Sequence, residues 1–212
     1  METYEVIVRF FQQGGIFMYP ILFVFAIGVA IALERYLFLS MMRLGNKKLW
    51  NKMQPLLSTG ELEEAGEIST SSKAVISKIL NNGIQRAKQS SKPEEIESAM
   101  EEGILEIIPR LEKRTHYLAT FANIATLMGL LGTIIGLIQA FNSVANAAPA
   151  EKAVQLSSSI SIAMNTTAFG LMAAIPLLLI YAVLNTKTNE LIDSLDMVAI
   201  KFLNLVTTKV EE

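Results

Sequence analysis

Three stretches of this chain carry no charged side chain: from Arg9 to Glu34, from Arg114 to Glu151, and from Lys152 to Lys187. A helix that crosses the hydrocarbon core of a bilayer takes about 20 apolar residues, and an unpaired charge inside that core is costly. The pattern predicts three transmembrane helices, over 16–40, 116–144 and 159–186. A water-soluble globule can bury one such helix. Three of them in 212 residues, about half of which are apolar, leave too little polar surface for one. The expected fold class is an all-α membrane protein.

Lysine and arginine set the orientation, because cytoplasmic loops hold the excess of both. Residues 43–114 contain twelve of them, whereas Arg9 precedes the first span and Lys152 stands between the second and third. The N-terminus is therefore expected outside, and 41–115 and 187–212 in the cytoplasm. Glu2 and Glu5 in the opening, with no small-residue cleavage site after the apolar run, do not read as a signal peptide. A net charge of −2 without a basic, aromatic-interleaved patch gives no reason to expect nucleic acid, and the lack of cysteine excludes disulfides and thiolate metal sites.

Outside the spans the chain reads as helical. Residues 3–12 suggest an amphipathic surface helix ended by Gly14-Gly15. Leu49, Trp50, Met53, Leu56 and Leu57 recur at helical spacing until Ser58-Thr59-Gly60; Ile76, Ile79, Leu80, Ile84 and Ala87 do so until Gln89-Ser90-Ser91. Lys92-Pro93-Glu94-Glu95 starts another helix. Beyond it only Pro109 interrupts the pattern before Asn142, which predicts one helix of about 50 residues, roughly 75 Å long. Leu191, Leu195, Val198, Phe202 and Leu205 form a heptad-like seam that carries the third helix past the membrane.

Enzymatic templates are empty: one histidine, no cysteine, no phosphate-binding glycine loop and no cluster of metal ligands in the membrane. No enzyme activity and no cofactor are expected. His116, beside Arg114, and Glu34, beside Arg35, sit at span ends, where an anchoring role is the expectation and the long side chains snorkel. What is left is small and hydroxylated. At 100° per residue Thr133 shares a face with Thr126, Gly129, Gly136 and Ala140, and Thr167 shares one with Ala163, Gly170 and Ala174. Such faces serve close helix packing, with each hydroxyl on its own i−4 carbonyl. They also serve as the lining of a narrow, partly hydrated path. Both readings stand on the pattern, and they are compatible.

Two runs carry a family resemblance. Gly129-Leu-Leu-Gly-Thr-Ile-Ile-Gly136 resembles the second-span signature of ExbB and TolQ, and Thr167-Ala-Phe-Gly-Leu-Met-Ala-Ala-Ile-Pro176 resembles their third-span signature. Gly15-Ile-Phe-Met-Tyr-Pro20 and Leu33-Glu-Arg35 are similar to the opening of ExbB-type chains. MotA-type stator subunits, with four spans, are more distant. The charges and patterns give a periplasmic amphipathic segment over 1–15, a cytoplasmic helical domain over 41–115, a periplasmic loop over 145–158 and a cytoplasmic C-terminal helix, and the resemblance implies the same three spans and topology. It implies a ring in the bacterial inner membrane, a homopentamer around a dimer of a single-span ExbD- or TolR-like partner. The partner's membrane aspartate would carry the proton past Thr133 and Thr167, with Thr126, Gly129, Gly136 and Gly170 on the pore face. Protons would be the coupling ion of a motor working on the outer membrane or cell wall. One position departs: Ile162 stands where the family pattern has a glutamate, five residues before the third-span threonine. A membrane scaffold that conducts nothing is the alternative function.

Overall fold

A computed structural model describes residues 10–11, 14–90 and 92–207, which are almost entirely helical and contain no strand. From Gly14 on, six helices follow in order among the described residues: α1 (Met18–Thr59), α2 (Leu62–Ser71), α3 (Ile76–Gln89), α4 (Pro93–Glu112), α5 (Thr115–Asn146) and α6 (Lys152–Thr207). Three helical stretches are long and apolar enough to cross a membrane: Met18–Thr59, Pro93–Ala145 and Lys152–Thr207. Of the expected surface helix over 3–12, Phe10 and Phe11 are helical, and the rest lies outside the described residues. Helix α6 begins at Lys152, so its first turns occupy part of the stretch read as a loop over 145–158.

The chain divides into two compact units, one of residues up to Leu33 with Arg114–Val183, the other of Glu34–Lys113 with residues from Leu184. Helix α1 ends as its residues require. Gly60 adopts φ +84°, its N–H meets the Leu57 carbonyl at 3.3 Å, and the Glu61 N–H meets Leu56 at 2.9 Å. That double return is a Schellman stop, which needs the left-handed residue glycine supplies most cheaply. Helix α4 starts with Pro93 and two acids in its first turn, where the missing N–H does no harm and negative charge meets the positive end of the dipole. Ile76, Ile79, Leu80 and Ile84 of α3 are buried, and Gly103 of α4 lets the helices close in: a β-carbon there would lie 3.3 Å from the Ile79 Cα. The seam on α6 buries Leu191, Leu195 and Phe202, then Val206 rather than the expected Leu205. A straight helix turns 3.6 residues per turn, so a 3.5-residue seam drifts by the third repeat. Helix α2 was not legible as a stripe; it buries the small residues Ala65, Gly66 and Ser69.

The expected 50-residue helix is two helices. It breaks at Lys113 and Arg114, the latter at φ +69°. The physical cause is Arg35, which was expected to snorkel but is 3% exposed. Its guanidinium donates to the Leu111 carbonyl, the group that would accept the Thr115 N–H in an unbroken helix, and stacks 4.6 Å over the Phe38 ring. A cation at the C-terminal end of α4 also suits the helix dipole. Glu34 remains exposed.

Candidate functional site

The first unit is held together by small residues. Gly129 of α5 and Gly170 of α6 meet where these helices touch: a β-carbon on Gly170 would lie 2.8 Å from the Ala125 carbonyl oxygen and 3.0 Å from the Gly129 Cα. One on Gly129 would lie 3.2 Å from the Thr167 Cα, and one on Gly136 would lie 2.8 Å from the Ala163 β-carbon. Inside lipid no hydrophobic force drives helices together, so contact must come from backbone approach of this kind and from interhelical hydrogen bonds. Gly129, Gly136 and Gly170 are thus buried in the α5–α6 contact of this chain. The groove at Gly132 is likewise filled from within, by Thr166 and Phe17. The glycine spacing is satisfied by the chain's own third span and by itself demands no second copy.

At this contact the two predicted hydroxyls come together. Thr133 Oγ1 and Thr167 Oγ1 are 2.7 Å apart. Thr167 Oγ1 also lies 2.8 Å from the Gly129 carbonyl, and Thr133 Oγ1 lies 2.9 Å from the Leu130 carbonyl and 3.2 Å from that of Gly129. Two hydroxyl protons therefore have more acceptors in reach than they can serve at once. Either hydroxyl can rotate from a carbonyl to its neighbour or to an incoming group without leaving a donor unpaired. Both residues are half-buried, so the pair lies at the margin of the contact and not in its dry centre. Thr126 stands apart, exposed, with its hydroxyl 3.1 Å from the Ala122 carbonyl.

Thr166 is a site residue that the sequence pattern did not single out. It is 2% exposed, and its hydroxyl lies 2.6 Å from the Gly14 carbonyl. It ties the third span to the segment before α1, where Gly15 takes φ +74° and Phe11 stacks edge-on against Phe169 at 4.9 Å. Its neighbour Thr167 faces α5, about 100° round the helix, and the sequence signal for both is the same. Ile162 is on an exposed face, 38% accessible. His116 is exposed, its ring 6.3 Å from that of Tyr181.

No Asp, Glu, Lys, Arg or His lies in 117–150 or 153–186. Among the described residues, burial first and then repulsion from Asp193 and Glu101 raise the Asp196 carboxyl, beyond the third span, above its ordinary value. Among the described residues no three potential metal ligands cluster. The arrangement can donate and accept hydrogen bonds along a span, and its side chains offer no carboxylate to carry a proton.

The model of the MotA/TolQ/ExbB proton channel family matches residues 71–197, which include both hydroxyls and the whole α5–α6 contact. The chain is 30% identical over 186 residues to biopolymer transport protein ExbB-like 1 of Synechocystis, covering 86% of this chain and 72% of that protein. An ExbB homolog of Methanothermobacter thermautotrophicus is 25% identical over 204 residues, 93% of this chain and 70% of its own length. The Tol-Pal system protein TolQ of Haemophilus influenzae is 36% identical over 84 residues, 40% of this chain and 36% of that protein. With three helices fit to cross a bilayer and these matches over most of its length, this multi-pass membrane chain belongs to the MotA/TolQ/ExbB proton channel family.

Proposed function

We propose that this chain is the pore-forming subunit of a proton-driven motor, and that it supplies hydroxyls while a second polypeptide supplies the acid. The observation that carries this reading is the Thr133–Thr167 pair: two half-buried hydroxyls, 2.7 Å apart, in spans that hold no carboxylate. A carboxyl crossing the membrane core needs hydrogen bonds to its charged form, and an apolar lumen raises its pKa towards neutrality so that both forms are reachable. The pair offers such bonds without titrating itself. ExbB- and TolQ-type proteins work with single-span ExbD- or TolR-like proteins, and a partner of that kind, with an aspartate in its span, fits here. Five copies of this chain would surround a dimer of it, as the family resemblance implies. Proton flow would then drive movement of one component against the other, to do work at the outer membrane or cell wall.

The reading is tested by co-expression with a one-span protein of that kind. The two are expected to co-purify in mild detergent as a complex with several copies of this chain, by native mass measurement. A chain that purifies alone and monomeric under every detergent condition contradicts it.

The proposed orientation in the inner membrane places Gln85 in the cytoplasm and Ala148 outside, both exposed. The chain has no cysteine of its own. On intact cells an impermeant thiol reagent should label Ala148→Cys and leave Gln85→Cys unmodified; the reverse pattern inverts the topology.

A further inference from the structure

A cavity of about 250 Å³ lies in the unit of Glu34–Lys113 and the residues from Leu184, walled by α1 and α6 with Ile76 at its side. Three cations border it, Arg43, Lys47 and Lys187, against one carboxylate, Glu190. Arg43 spends part of its charge on Glu190 at 3.4 Å, both groups being largely solvated. Lys187 rests 4.3 Å over the Tyr36 ring, and among the described residues neither it nor Lys47 has a carboxylate within ion-pair distance. A second feature is independent of charge. Asn46, also in the wall, is 6% exposed; its side-chain oxygen accepts the Ile76 N–H at 3.3 Å, and its NH2 group has no acceptor. A buried donor without a partner is a cost that proteins seldom leave uncompensated.

The place of these residues in the chain decides what the cavity meets. Lys187 is the first charge after the uncharged third span, and Arg43 is the first after Arg35 at the end of span one. The rim of the cavity at Arg43 and Lys187 therefore lies where a lipid headgroup layer begins. Trp50, Leu191 and Val198 give it an apolar side. Its volume is below the ~300–1,000 Å³ of drug-sized ligand sites, which suits a headgroup whose acyl chains stay outside. Basic pockets between membrane helices at a leaflet surface take phosphate headgroups by direct charge attraction.

We propose that this cavity binds the phosphate headgroup of an anionic phospholipid, with Arg43, Lys47 and Lys187 as the cations that hold it. In the orientation proposed above, the lipid belongs to the cytoplasmic leaflet. Binding does not depend on proton conduction, so this proposal and the motor reading stand or fall separately.

Trp50, the chain's single tryptophan, lies in the wall and reports occupancy directly. The full chain in a neutral detergent is titrated with short-chain phosphatidylglycerol, with phosphatidylcholine of the same chain length, and with inorganic phosphate. Phosphatidylglycerol is expected to shift Trp50 emission saturably. Phosphatidylcholine and phosphate at the same concentrations are expected to leave it unchanged. Removing a cation should raise the half-saturation concentration about 5-fold, and Arg43→Gln with Lys187→Gln together about 25-fold. Lys187→Arg should stay within about 2-fold of the parent, because the charge remains. Equal responses to the two lipids overturn the proposal, as does a helical double-glutamine variant that titrates like the parent. A response to inorganic phosphate matching that to phosphatidylglycerol assigns the site to free phosphate and overturns the lipid source. Native mass measurement of the unaltered protein from mixed micelles gives a reading that needs no variant. Preferential retention of phosphatidylglycerol supports the site, and equal retention of both lipids counts against it.

Discussion

Thr133→Val and Thr167→Val are expected to leave the complex assembled and its proton-driven work largely abolished. Valine is nearly isosteric with threonine, so the α5–α6 contact survives with the loss of one interhelical contact at Thr133 and two at Thr167, each on the order of 1 kcal/mol. The functional loss is larger. A hydrogen bond from a hydroxyl to a charged group is worth about 1.5–3 kcal/mol, which at about 1.4 kcal/mol per factor of ten means roughly a 10- to 100-fold fall in flux for each residue. Thr→Ser at either site should be milder, since the hydroxyl remains within reach of its partners. The check is growth or motor output in cells deleted for the native gene, alongside native mass measurement of the complex. Full activity in both valine variants would leave the pair with a packing role and favour the scaffold reading.

The second large effect is on the fold. Gly170→Val should prevent the first unit from forming, because the added side chain meets backbone: the Ala125 carbonyl oxygen at 2.8 Å and the Gly129 Cα at 3.0 Å. A flexible side chain can move aside; a helix backbone moves only with its whole helix. The cost should exceed the ~1–3 kcal/mol usual for an overpacked core. Gly45→Ala is the control, with only the Ala74 β-carbon nearby at 4.0 Å. There the added methyl is expected to gain up to about 1 kcal/mol of helix propensity. Thermal unfolding in detergent, followed by circular dichroism, measures both. A Gly170→Val protein that melts with the parent would refute the close approach of the helices.

The spans were legible because three long runs without charge leave a chain in water with too little polar surface, whereas lipid accepts all three. The stop at Gly60 and the start at Pro93 were legible because local chemistry alone determines them. The hydroxyl pair was legible as two small-residue faces, one with Thr133 and Thr126 and the other with Thr167; the contact joins Thr133 to Thr167 and leaves Thr126 apart. What was not legible depends on distant residues. The break at Lys113 and Arg114 has no local signal, since its cause is a guanidinium 76 residues before Leu111, whose carbonyl it takes. Arg35 looked like a surface anchor because a cation at a span end usually reaches water, and here it finds a helix end instead. Thr166 and Thr167 are adjacent and chemically equal. Only the course of the segment around Gly14 assigns one to a structural tie and the other to the pair. The glycine faces were legible as surfaces for close helix packing, and the third span of the same chain is the helix that packs there.

Proton flux into liposomes measures the proposed division of labour between two polypeptides. Vesicles containing this chain alone, under an imposed potential, are expected to take up no more protons than empty vesicles, because neither span two nor span three holds a carboxylate and Ile162 stands where the family pattern has one. Adding the single-span partner should open a flux, and replacing the partner's membrane aspartate by asparagine should close it again. Robust, proton-selective flux from this chain alone, or flux that persists with the asparagine partner, would contradict the account.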